Sequence, residues 1–258
     1  MFASNVYKER REALRRQVGG GLILLLGNGE ASSNYPDNTY HFRQDSSFLY
    51  FFGINHPGFA GVIDVEAEEE TLFGNDFTMD DIIWMGPQPS VASQAAEVGV
   101  EKSAPLSQLK QVIEAAQRQG RQVHFLPPYR HANKLWLEEL TGIRAAQLAT
   151  QVSVELIKAI VALRSVKSAL EIAEIERACD IGYEMHTTAM RMCKPGVKEQ
   201  LIAGTIEGIA LAHGAGVSFP TILSMNGETL HNHYHGNLLQ EGRLMLTDAG
   251  AETNMNYC

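Results

Sequence analysis

Arg164-Ser165-Val166-Lys167-Ser168-Ala169-Leu170-Glu171-Ile172 is the stretch on which the fold turns. Ser168 followed three residues later by Glu171 is a capping-box pattern, so a helix is expected to start at Ser168. Beyond it Ile175, Ala178, Ile181, Met185, Ala189 and Met192 form one apolar stripe at spacings of three and four. Pro195-Gly196 closes that helix. Ile202, Ile206 and Ile209 mark a second one, stopped by Gly214-Ala215-Gly216. The whole stretch from Val152 to Met192 is helix-forming, without a proline, and differs from everything before it. A domain boundary is therefore expected near Ser165, dividing the chain into 1–164 and 165–258.

Upstream, strand and helix signals alternate. Residues 7–18 keep helical spacing and end at Gly19-Gly20-Gly21. Leu22–Leu26 is a continuous apolar run between glycines and predicts a buried strand. Phe48–Phe52 and Phe59–Val65 read as further strands, with Asn55-His56-Pro57-Gly58 as the turn between them. Thr71–Phe73, Ile82–Trp84 and Val123–Leu126 read as shorter strands. Leu106, Leu109, Val112, Ile113 and Ala116 predict a helix ended by Gly120, and Asn133–Leu140 a second one. Interleaved strands and helices define an α/β domain. Downstream of 216 the chemistry turns sheet-like: Thr221–Ser224, Leu230–His235 and Arg243–Thr247 read as strands, separated by Asn226-Gly227 and Glu241-Gly242. Two helices followed by this meander describe an α+β second domain. There is no low-complexity segment and no solenoid repeat.

Composition excludes more than it identifies. The 258 residues are 45% hydrophobic and 20% charged, ordinary for a packed domain. The net charge of −9 and the lack of a Lys/Arg cluster argue against nucleic acid and against a membrane surface. Three scattered cysteines, Cys179, Cys193 and Cys258, suit a reducing compartment. Lys8-Glu9-Arg10-Arg11 stands where a signal peptide would be apolar, so the expected location is the cytoplasm. Gly27-Asn28-Gly29 lacks the third glycine of a dinucleotide loop.

Two segments carry candidate chemistry. In an extended strand, His231, His233 and His235 would share one face. Three imidazoles there could ligate a metal, donate protons or bind a carbonyl oxygen; the plain alternative is a polar edge strand. Leu244-Met245-Leu246-Thr247-Asp248-Ala249-Gly250 reads as an apolar strand ending in a carboxylate, with small residues leaving room beside it. A carboxylate at the end of a buried strand needs a cation or donors; an Asp capping a turn is the equal alternative.

In order, four segments resemble the creatinase/prolidase/aminopeptidase P metallopeptidase family. Arg43-Gln44-Asp45-Ser46-Ser47-Phe48-Leu49-Tyr50 resembles the pattern of aminopeptidase P N-terminal domains. Arg164–Ile172 resembles the entry to the pita-bread catalytic domain, His233-Tyr234-His235-Gly236-Asn237 its His-Tyr-x-x-Asn motif, and Leu246–Gly250 the strand delivering its first metal-ligating aspartate. The resemblance implies a creatinase-like α/β domain followed by an incomplete α+β pita-bread domain. It implies removal of an N-terminal residue preceding proline from a proline-containing peptide, in a homo-oligomer, with two divalent ions, usually manganese. Asp248 would be the first metal ligand and His233 a non-ligand histidine beside the substrate; His231 and His235 receive no role. The family's second aspartate, its ligand histidine and both glutamates would fall after Cys258, so this stretch by itself is expected to be inactive. An Xaa-Pro dipeptidase (prolidase) and a non-catalytic peptide-binding relative are the alternatives. A self-contained three-histidine site would require an all-β surround, against which the helices between Val152 and Leu211 speak.

Overall fold

Helix α1 (Ser4–Gln17) runs through Val18 and three glycines into strand β1 (Leu22–Leu26), whose first four residues are buried. The last of those glycines is obligatory. Gly21 has φ +88°, and a Cβ there would lie 2.3 Å from the Gln122 carbonyl oxygen. The computed structural model describes residues 1–258, which divide into two units, Met1–Val166 and Lys167–Cys258.

In the first unit, β1 is followed by a two-stranded hairpin, β2 (Ser32–Tyr35) and β3 (Asn38–Thr39), and by helix α2 (Ser46–Phe52). Strands β4 (Ala60–Asp64) and β5 (Glu69–Phe73) come next, then helices α3 (Met79–Met85) and α4 (Val91–Glu97). Strand β6 (Lys102–Ala104), helix α5 (Leu109–Arg118), strand β7 (Val123–His124) and helices α6 (His131–Thr141) and α7 (Val154–Ser165) complete it. The main sheet has the order β6-β5-β4-β1-β7. It is mixed: β1 pairs antiparallel with β4 and parallel with β7, and β5 pairs parallel with β6. Leu22, Leu24, Val62 and Phe73 from the strands meet Leu109, Ile113, Leu137 and Leu140 from α5 and α6 in one core. This is the expected α/β arrangement.

Two expected strands of this unit are helices. Phe48–Phe52 lies in α2, where Asp45 caps the start by accepting from the Ser47 and Phe48 amides and Gly53 ends it in the left-handed conformation. A short apolar run buried on all sides has no period to read, and the two caps settle its state. Ile82–Trp84 lies in α3, fixed by a capping box between Thr78 and Asp81.

In the second unit, α8 (Ala169–Met192) and α9 (Glu199–His213) precede strands β8 (Gly216–Val217), β9 (Ile222–Ser224), β10 (Leu246–Asp248) and β11 (Ala251–Glu252). The Ser168–Glu171 capping box is formed as expected. Strand β9 pairs antiparallel with β10, and β8 with β11. The stripe residues Ile181, Met185 and Ala189 pack with Ile202, Ile206, Leu223 and Leu239. The expected middle strand is absent: Leu230 and His231 lie in a turn, and residues 232–237 have no regular structure. Arg243–Met245 likewise precede the strand, which starts at Leu246. No helix is long and apolar enough to cross a membrane.

Candidate metal and substrate site

Asp248 ends β10 and stands opposite Ile222 of β9. The expected burial of this strand is corrected. Leu244 is 91% exposed and Leu246 39%, and Asp248 itself is exposed. Within these 258 residues only β9 pairs with β10, whose other edge is open. The two residues after Asp248 are nonetheless held in place. The Ala249 carbonyl accepts from Nε2 of His186 on α8 (3.0 Å), and the Gly250 carbonyl accepts from the Ser218 amide (2.9 Å).

The histidine segment is a loop anchored at intervals. Asn232 donates from Nδ2 to the Ser224 hydroxyl (3.2 Å) and accepts the Tyr234 amide (3.0 Å). His235 places Nδ1 3.0 Å from the Leu223 carbonyl oxygen. A carbonyl can only accept, so Nδ1 carries a proton in this contact. His231 and His233 are exposed. Without a strand, the period-two argument that set three imidazoles on one face does not apply.

No group of three or more His, Cys, Asp or Glu side chains among these residues could hold a metal ion. Divalent ions take several protein ligands each, and Asp248 alone does not fit a two-metal centre. Two further polar residues shape the region without a signal in the linear pattern. His186 braces the residue after Asp248, and Glu199 is a fully buried carboxylate at the start of α9.

Comparison with known proteins assigns both units. Residues 7–125 match the family model for the aminopeptidase P N-terminal domain, and residues 173–258 that for metallopeptidase family M24. Xaa-Pro aminopeptidase of Escherichia coli is 30% identical over 95% of this chain, which covers 58% of that protein. The structure of aminopeptidase P from E. coli superposes with a TM-score of 0.80 at 26% identity, over 97% of this chain and 59% of that one. Proline aminopeptidase P II from Yersinia pestis gives 0.81 at 25% identity, over 98% and 61%. These matches describe an α/β unit like the aminopeptidase P N-terminal domain, followed by part of a pita-bread domain like that of family M24. The chain is similar to aminopeptidase P in its first unit and to metallopeptidase family M24 in its second. It spans about six tenths of the length of the bacterial relatives it matches.

Proposed function

We propose that this chain is part of an Xaa-Pro aminopeptidase, which hydrolyses the bond between an N-terminal residue and a following proline in a peptide. The carrying observation is the order of the two family matches along one chain, aminopeptidase P N-terminal domain first and M24 second. In this reading Asp248 contributes one ligand to a pair of divalent ions, manganese by preference. The other ligands come from sequence that these 258 residues do not include. His233, exposed on its anchored loop, faces the peptide and donates to the carbonyl oxygen as negative charge develops there and the carbon becomes tetrahedral. The protein is taken to be cytoplasmic, which its three exposed free thiols suit. It is taken to be a homo-oligomer, and helix α3, none of whose residues is fully buried and whose Ile83 and Trp84 are exposed, supports that.

The test is release of the first residue from matched peptides with proline or alanine second, assayed on a chain extended to the relatives' length and loaded with manganese. Cleavage confined to the proline peptide is expected. His233→Ala should lower kcat by about 10²-fold, the usual cost of one oxyanion donor, and Asp248→Ala should also reduce bound metal. A folded, metal-loaded extended protein that cleaves neither peptide would sink the reading.

A further inference from the structure

Glu199 is the fully buried carboxylate of the second unit, and its partners are neutral donors. One oxygen accepts the Met225 amide, just past β9, at 2.7 Å; the other accepts Nδ2 of Asn237 at 3.0 Å. The backbone around it is laced to the same loop. The Glu199 amide donates to the Asn237 carbonyl (3.0 Å) and the Gln200 amide to the His235 carbonyl (2.9 Å). Leu239 and residues 196–197 exchange two more bonds, Gly196 to Leu239 at 2.8 Å and Leu239 to Val197 at 2.9 Å. Burying a carboxylate against neutral donors is unfavourable compared with an apolar side chain of that size. The first turn of a helix offsets part of this, since its unpaired amides and dipole favour a negative charge. What the arrangement achieves is geometric: one side chain ties the end of β9 to the segment 235–239. In sequence His233 lies between that tie and the Asn232–Ser224 bond, and it is exposed.

We propose that Glu199 and Asn237 are positioning residues, a buried latch that holds the loop 231–239 so that His233 meets the scissile peptide in one place. The inference rests on the reading of His233 as the substrate-facing histidine. Asn237 thereby acquires its reason in the His-Tyr-x-x-Asn motif: its amide holds the Glu199 carboxylate.

Asn237→Asp sets a second carboxylate against Glu199. Like charges in contact cannot both ionise cheaply, so the pair shares a proton and the loop loosens as rising pH removes it. Adding Glu199→Gln restores the match, because the new amide donates to the carboxylate introduced at position 237 and its oxygen still accepts the Met225 amide. Two signals are monitored on the full chain over about pH 5 to 8: amide exchange of residues 231–239, and the ring resonances of His233, identified by their loss in His233→Ala. With Asn237→Asp, loop amides should exchange about tenfold faster or more, and the His233 resonances should shift with an added pH inflection. Both changes should vanish in the double variant, and amides of α8 should be unaffected throughout. Asn237→Ala, which only deletes the donor, should speed exchange without the inflection. An unmoved His233 resonance in Asn237→Asp, or a double variant no better than the single, would overturn the latch. A His233→Ala enzyme that cleaves as fast as its parent would instead remove the reading it rests on, with the exchange data still reporting the latch.

Discussion

Arg11 shows how a single residue can set the geometry of the first unit. Its side chain is fully buried and donates from Nη1 to the Phe51 carbonyl (2.9 Å) and from Nη2 to the Val98 and Gly99 carbonyls (3.0 and 2.9 Å). It therefore ties α1 to the end of α2 and to the turn after α4. Glu70 lies 3.8 Å from Nε and supplies the nearest negative charge. Burial lowers the Arg11 pKa and raises that of Glu70, and each partner opposes the other's shift. Arg11→Met keeps the volume but leaves three carbonyls without their donor and Glu70 short of a cation. We expect a loss of about 3 kcal/mol, read from urea unfolding. Arg11→Lys should recover little of it, because one ammonium cannot reproduce the planar fork that reaches three acceptors. A variant within error of the parent would show that water replaces the guanidinium. The same reading explains why Glu199 escaped the sequence: its partner Asn237 is 38 positions away. Nothing in the local pattern of Glu199 announces its burial. Asp248 and His233 were legible because they sit in contiguous motifs.

Element identity depended on caps more than on apolar content. Helix α2 is buried along its whole aromatic run, Phe48–Phe52, so neither period two nor period 3.6 shows in it. Asp45 before it and Gly53 after it were the readable signals. The same holds for α3, where Thr78 and Asp81 override a β-branched pair. Leu230–His235 failed in the opposite direction. Its alternation was of histidines, not of apolar with polar residues, and Leu230 and Tyr234 are 75% and 66% exposed. A segment with no face to bury gains nothing from becoming a strand. By contrast Leu22–Leu26, Phe59–Val65 and the α8 stripe were legible, because each has one environment along its length. The cap at Gly53 gives the prediction at this scale. Gly53 has φ +67°, and a Cβ there would lie 2.3 Å from Cζ of Tyr7, itself fully buried. Gly53→Ala should cost about 2 kcal/mol or more through strain and displacement of the Tyr7 ring. Thermal unfolding measures it. An unchanged midpoint would mean that α2 can end without a left-handed residue.

The two units carry separate cores, so a linked proton should destabilise one without the other when its groups lie in only one of them. Such a cluster exists in the first unit. Arg121, just after α5, donates to both oxygens of Asp64 at the end of β4, at 2.9 Å to Oδ2, and also contacts Glu66. Glu66 in turn accepts the Gly21 amide at 2.8 Å, so the cluster clasps the entry to β1. Burial would raise the Asp64 carboxyl, but hydrogen bonds from Arg121 and the Ala67 amide outweigh it and hold it below the usual range. Glu66 is lowered chiefly by its bond to Arg121. A depressed folded pKa contributes stability that is complete above the unfolded value, about 4, and is lost as pH falls through that value towards the folded one. Asp64 is a quarter exposed and Glu66 half exposed, so screening keeps the contribution near about 1 kcal/mol. Arg121→Gln should therefore be less stable than the parent by about that amount at neutral pH, with the gap closing as pH falls below about 4 towards the depressed folded values. The readout can be confined to the right unit. Both tryptophans, Trp84 and Trp136, lie in the first unit, and Trp136 packs on its core. Tryptophan fluorescence on acid titration should show the parent's transition approaching that of Arg121→Gln as the carboxylates protonate. Helical circular dichroism from α8 and α9 should persist to lower pH than the fluorescence change. If the variant and parent keep a constant gap through the acid range, the cluster is not what couples the first unit to protons. If fluorescence and dichroism fall together in both proteins, the two cores unfold as one.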